Sequence, residues 1–277
     1  MTSQDSGKTF LPLSSNLPNG WVKQLVVLPG TNGPDRRPIY ARVDHGPAGT
    51  NPNVAGVHIY RSVNSGQSWT DITANLDDLP RGAEPIQLLP DPSKPTTGIM
   101  VVVADTPDVE NSLNGIYYWT GTEWSPYYRS PGIGFHKDLH PGKFSCLLVD
   151  PDFSSHWFAG SFAFGIYETH NFGISWKRIY AYPATHLTTF DLDLVDREHP
   201  TLLAAVANQL TTSQRQSLAQ GVVALQQYGP DQWIELDTAT LNRSIGSKEV
   251  RLILPDIHRP GRIYVGTGGN GLFISAP

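Results

Sequence analysis

Five aromatic residues divide the 277-residue chain into five nearly equal lengths. Phe10, Trp69, Trp124, Trp176 and Trp233 are separated by 59, 55, 52 and 57 positions. A further 54 run from Trp233 to the C-terminus and on from the N-terminus to Phe10. A period of this size that closes on its own ends restricts the fold to a circular array of one repeated supersecondary unit. Three of the aromatics follow the same turn: "SQDSGKTF" (3–10), "SVNSGQSW" (62–69) and "THNFGISW" (169–176). In each, an Asn or Asp can cap backbone N–H groups, a glycine permits positive φ, and hydroxyls satisfy the remaining turn groups. The aromatic then opens the next strand and packs under the hairpin. "WTGTEW" (119–124) and "YGPDQW" (228–233) keep the aromatic and a shorter turn.

Each interval carries the same strand order. A first apolar run recurs as "LVVLPG", "IQLLPD", "CLLVD", "LDLVD" and "LILPD", and a second as "PIYARV", "GIMVVVA", "HWFAGSF", "TLLAAVA" and "RIYVGTG". A third opens on glycine: "GVHIYRS", "GIYYWT", "GIYETH", "GVVALQQ" and "GLFIS". The fourth begins at the aromatic. Four antiparallel strands in each of five repeats, with no helical period, predict an all-β chain, a five-bladed β-propeller forming a single domain over 1–277. Because the chain starts inside a turn between third and fourth strands, "FLPLS" is expected as the outer strand of the last blade. It would pair with "GLFIS" and close the ring.

The three full turns resemble the Asp-box, or bacterial neuraminidase (BNR), repeat of sialidase-type β-propellers. The resemblance extends over the whole chain and implies the same fold. The family includes sialidases, xyloglucan-degrading enzymes, sortilin-type receptor ectodomains and a photosystem assembly factor, so it implies no single activity. In it the box lies on the underside of the propeller, away from ligand sites. Sialidases of the family have six blades, a three-arginine clamp and an Arg-Ile-Pro motif. The nearest stretch here is "DRRPIY" (35–40), in an inter-strand turn, which speaks against that enzyme in particular.

Composition narrows the function classes. The net charge of −5 with no basic run argues against a nucleic-acid partner. No apolar stretch approaches the roughly 20 residues of a membrane-spanning helix, and "MTSQDSGKTF" lacks the pattern of a signal peptide. A soluble, cytoplasmic protein fits these features. The single cysteine, Cys146, sits in "FSCLLV" and reads as a buried thiol rather than a nucleophile.

Comparing the repeats with one another separates scaffold from site. Asp91, Asp150, Asp196 and Asp256 follow the first strand at one place and read as turn residues, while Leu28, Leu89, Leu148, Leu194 and Leu254 read as core. Asp193 and Asp191 depart from that rule. They stand where other repeats have Val27, Leu88, Leu147 and Ile253, or Leu25, Ile86, Ser145 and Arg251. Alternation would place both carboxylates on one face of an inner strand, near Arg251 on the next. A structural ion pair around a wet channel is the plain reading, and a substrate site the alternative. In "GFHKDLHPGK", His136, Asp138 and His140 are spaced to point one way from an extended segment, a set able to bind a divalent metal; otherwise no cofactor is expected. The loops over 44–55 and 105–114 offer Asp44, His45 and Asp105 as ligand-binding residues, with Glu110 beside them.

These features favour a non-catalytic binding or scaffold propeller that takes a protein, carbohydrate or small molecule on its channel-face loops. The alternatives are a glycoside hydrolase using Asp191 or Asp193 with Asp105 or Asp138, and a metal-dependent hydrolase or lyase at His136/Asp138/His140. Of the seven tryptophans, four are hairpin anchors, which leaves Trp21, Trp119 and Trp157 for any ligand.

Overall fold

The computed structural model describes residues 8–9, 16–29, 37–46, 56–73, 76, 84–104, 115–129, 144–150, 153–161, 165–181, 184–190, 201–206, 221–227, 232–236, 238–245, 250–256, 258–259, 262–267 and 270–274. They form antiparallel sheets, one per repeat. Blade one contains β1 (Trp21–Val27), β2 (Ile39–Asp44), β3 (Val57–Ser62) and β4 (Thr70–Asp71). Blade two contains β5 (Glu84–Pro90), β6 (Ile99–Ala104), β7 (Gly115–Trp119) and β8 (Trp124–Arg129). Blade three contains β9 (Phe144–Val149), β10 (Trp157–Ser161), β11 (Gly165–Thr169) and β12 (Lys177–Tyr180). Blade four contains β13 (Ala184–Phe190), β14 (Thr201–Val206), β15 (Gly221–Gln227) and β16 (Trp233–Leu236). A short helix, α1 (Ala239–Ile245), leads to blade five, with β17 (Val250–Pro255), β18 (Ile263–Thr267) and β19 (Leu272–Ile274). Every sheet is a meander whose spatial order follows the chain. The fold class is all-β, a five-bladed β-propeller. "FLPLS" lies outside the described residues, so blade five is described with three strands.

Two compact units divide the chain, one comprising Met1–Ala104 with Gly115–Arg129 and the other Asp105–Asn114 with Ser130–Pro277. In the second, blade four shows why its strands read as unbroken apolar runs. Leu202 and Ala204 pack with Cys146, Phe158 and Ile166 of blade three, while Leu203 and Ala205 pack with Val250, Ile253 and Val265 of blade five. Alternate side chains thus serve opposite faces, both covered by a neighbouring sheet. In the first unit, Ala41, Val43 and Tyr60 of blade one pack with Leu17 and Trp69.

The repeated turn has one hydrogen-bonding scheme in both copies described. In blade one, Ser62 Oγ donates to Asn64 Oδ1 at 2.9 Å and accepts from Gly66 N at 2.8 Å, and Ser68 N donates to Asn64 Oδ1 at 2.9 Å. In blade three, Thr169 Oγ1 donates to Asn171 Oδ1 at 2.8 Å and accepts from Gly173 N at 3.1 Å, and Ser175 N donates to Asn171 Oδ1 at 2.9 Å. Gly66 (φ 87°) and Gly173 (φ 83°) supply the left-handed backbone, and the preceding Ser65 and Phe172 share that region. The turn joins the third and fourth strands, as the sequence predicts. Trp124 and Trp176 are buried behind it, and Trp69 and Trp233 are partly buried.

Among the described residues, three side-chain amides pair with a backbone residue elsewhere as a strand would. Asn16 exchanges both bonds with Trp69 (2.9 and 2.7 Å), Gln24 with Leu88 (both 2.8 Å) and Asn242 with Val222 (2.9 and 2.8 Å).

Two sequence expectations are corrected. The first strand of blade four is Ala184–Phe190, ahead of "LDLVD", with Phe190 opposite Thr201. Strands β1, β5, β13 and β17 each carry a bulge near their start, passing over Lys23, Ile86, Thr185 and Arg251, and β9 pairs with β10 with the same irregularity at Ser145. The residue of blade four at this place is therefore Thr185 and not Asp191, while Leu187, opposite Ala204, stands where Leu88, Leu147 and Ile253 stand in other blades. The leucine assignment is likewise shifted: Leu88, Leu147 and Ile253 are buried, whereas Leu254 is 46% exposed. A shift of one residue along a strand exchanges its faces. Leu28 is buried as expected.

Candidate functional site

Among the sequence-derived ligand residues, Asp44 and His45 lie within the described structure. They stand at the end of β2, at the end of blade one away from its repeated hairpin. His45 is buried. Its Nδ1 lies 2.7 Å from Asn19 O, and since a carbonyl only accepts, Nδ1 donates. That leaves Nε2 to accept from the Tyr60 hydroxyl at 2.9 Å. With both ring nitrogens engaged, His45 braces the base of the 44–56 loop, whose ends are tied by His45 N to Gly56 O and Gly56 N to Gly46 O, both 2.8 Å. Asp44 accepts from Gly46 N at 2.9 Å and lies 3.5 Å from Lys23 Nζ.

Beside them, His58 Nδ1 lies 2.9 Å from Asp71 Oδ2, and Asp71 Oδ1 accepts from Thr73 N at 2.9 Å. Burial alone would raise the Asp71 carboxyl, but bonds from His58 and Thr73, with the His58 charge, outweigh it and hold the carboxyl below its usual range. Trp21 pairs across the ladder with Asp44 and is 65% exposed, with Lys23 Nζ 5.5 Å from its ring. Val22, Leu25 and Val27, opposite Val43, Ala41 and Ile39, form an exposed apolar row along the other face of β1. Of the tryptophans left over by the repeat, Trp157 is fully buried and Trp119 packs on Trp124 at 5.3 Å. Trp21 alone of these three presents its ring to solvent.

Asp105, His136, Asp138, His140, Asp191 and Asp193 lie outside the described residues, as does the side chain of Arg251. The turn reading holds for three described aspartates. Asp91 accepts from Ser93 N (2.8 Å), Asp150 from Phe153 N (3.3 Å) and Asp256 from His258 N (3.0 Å). Cys146 is buried, and burial pushes its thiol up to about 12, which leaves it unreactive.

A second polar cluster, at the hairpin end of blade three, is absent from the sequence reading. His156 precedes β10, Glu168 lies on β11 and His170 follows it. His156 Nδ1 lies 2.8 Å from Asp150 Oδ2, and Nε2 lies 2.9 Å from Glu168 Oε1. His170 Nε2 lies 3.2 Å from the same oxygen, its ring stacked on His156 at 4.3 Å. Glu168 Oε2 accepts from Trp233 Nε1 at 3.3 Å. Burial opposes charge on the His156 ring, but the two carboxylates outweigh it and raise the ring to about 9.

No family model and no curated protein matches the sequence. Among solved structures, an ancestral GH74 enzyme superimposes with a TM-score of 0.53 at 15% identity, covering 94% of this chain and 31% of that one. YCF48 from Cyanidioschyzon merolae superimposes with a TM-score of 0.50 at 16% identity, covering 90% of this chain and 68% of that one. This chain therefore spans about a third of the GH74 enzyme. Both neighbours are β-propellers, and likeness at these identities concerns the fold. Among the described residues no helix is long and apolar enough to cross a membrane.

Proposed function

We propose that the chain is a non-catalytic binding or scaffold propeller of the Asp-box type that holds a protein partner along β1, at the end of blade one away from its repeated hairpin. The observation that carries this reading is the exposed row Val22, Leu25 and Val27 on one face of β1, with Trp21 exposed at the start of the same strand beside Lys23 and Asp44. An exposed tryptophan next to aliphatic side chains with a polar border is the composition of an interface centre. A lone aromatic with polar neighbours would suit a sugar ring; three adjacent aliphatics suit apolar side chains of a polypeptide. His45 and Asp44 are occupied within the protein, so their role here is to shape the loop and hold Lys23 beside the ring.

The test is selection from a displayed random-peptide library against the full chain, with affinities then measured by titration. Selected peptides should bind at least tenfold more weakly to Trp21→Ala, with melting unchanged because the ring is mostly solvated. Failure to enrich any peptide, or equal binding by the variant, overturns the proposal. Turnover of aryl glycosides that is lost in Asp191→Asn or Asp193→Asn would instead favour the hydrolase.

A further inference from the structure

The geometry points to a divalent-cation site of the zinc class in blade three, with His156 Nε2, Glu168 Oε1 and His170 Nε2 as ligands. These three atoms lie within 4.8 Å of one another. Asp150 can only accept at ordinary pH, so its contact with His156 keeps the proton on Nδ1 and leaves Nε2, which points at Glu168, as the nitrogen that would give up its proton to a metal. Glu168 Oε1 lies 2.9 Å from that nitrogen, and a second imidazole nitrogen reaches the same oxygen at 3.2 Å. Acceptors converge so closely only around positive charge, supplied by protons or by a metal. Glu168 is buried, its side chain 1% exposed, and a buried carboxylate requires such a counter-charge.

Two imidazoles and one carboxylate are a borderline-soft donor set suited to Zn²⁺ and its neighbours rather than to Ca²⁺ or Mg²⁺. With metal–ligand bonds of about 2.0–2.2 Å, tetrahedral ligands sit roughly 3.3–3.5 Å apart, so the observed pairs need open only slightly. His170, with its side chain 62% exposed, has the freedom to do so. Asp150 completes a carboxylate–imidazole–metal relay, which fixes the tautomer and raises the basicity of the ligand nitrogen.

The repeat provides an internal control. By ladder register, the positions of His156, Glu168 and His170 hold Pro38, Arg61 and Val63 in blade one, and Gly98, Tyr118 and Thr120 in blade two. In blade four they hold Thr201, Ala224 and Gln226. The hairpin of blade one forms without any of the three ligands, so the cluster is not a requirement of the turn.

The experiment is titration of Zn²⁺, and of Co²⁺ as a coloured probe, into the full chain after chelator treatment and dialysis. One equivalent should bind below micromolar Kd, with Co²⁺ bands typical of tetrahedral nitrogen and oxygen coordination. His170→Ala, at an exposed position, should weaken binding at least tenfold while leaving the metal-free melting temperature unchanged, and Asp150→Asn should weaken it by about 10- to 100-fold. The double variant His136→Ala/His140→Ala should bind as wild type. Absence of stoichiometric binding, or binding lost in the His136/His140 variant but kept in His170→Ala, overturns the assignment.

Discussion

Removal of the Trp124 ring tests the idea that the periodic aromatics hold the hairpins in place. Trp124 is 2% exposed, packs at a tilt against Trp119 and donates its indole N–H to Ile72 O in blade one at 2.7 Å. Trp124→Ala creates a cavity costing about 3–5 kcal/mol. It also strands the carbonyl of a buried residue, adding about 1–2 kcal/mol. The total, about 5 kcal/mol, is a large share of the 5–15 kcal/mol typical of a domain. Trp124→Phe keeps most of the apolar volume and loses the donor, so it should cost about 2 kcal/mol. Urea unfolding followed by far-UV circular dichroism reads both values from the transition that contains blades one and two. An Ala variant within 1 kcal/mol of wild type would refute the anchoring role. A Phe variant as damaged as Ala would show that the hydrogen bond, rather than ring burial, carries the energy.

Asn171→Asp should be nearly neutral, because Oδ1 still accepts from Ser175 N and the Ser175 hydroxyl can donate where it now accepts from Nδ2. Asn171→Ala removes the acceptor altogether and should cost about 1–2 kcal/mol; equal melting of all three proteins would disprove the turn scheme. For Asp71 the sign follows from its lowered carboxyl: its contribution is present above the ordinary value of 3.8 and is lost as pH falls through the folded one. The melting advantage of wild type over Asp71→Asn should therefore be greatest near neutrality and shrink below about pH 4. An advantage independent of pH between 3 and 7 would remove the His58–Asp71 pairing as its source.

Blade number and the sites of the described hairpins were legible because the box aromatics recur at a steady interval and the turn dictates its own residues. Strand register was less legible. "ATHLTTF" is polar and β-branched, so its strand tendency lies in backbone preference, which a search for apolar runs passes over in favour of "LDLVD". The exposure of Leu254 beside buried Ile253 has the same source, a one-residue ambiguity in a uniformly apolar stretch. Asp44 and His45 were found because long loops concentrate binding residues, but their mutual engagement with Gly46, Asn19 and Tyr60 depends on tertiary contacts. The His156 cluster was missed because its members are distant along the chain and meet only through the pairing of Phe158 with Glu168. A signal was present: the residue before the second strand is Pro38, Gly98, His156, Pro200 or Arg262, and only the third carries a metal-binding ring.

The three amides that pair like backbone set the way this protein ages. Asn16, Gln24 and Asn242 each donate to a carbonyl and accept from the N–H of the same residue. Slow hydrolysis turns such an amide into a carboxylate, which cannot donate and would meet the carbonyl with repulsion in place of a bond. A change of one atomic mass unit in these side chains therefore loosens long-range joints: Gln24 links blades one and two, and Asn242 fastens α1 to β15. Stored protein should shed stability in steps that follow deamidation at Asn16, Gln24 and Asn242, whereas deamidation of Asn171 should leave it nearly unchanged.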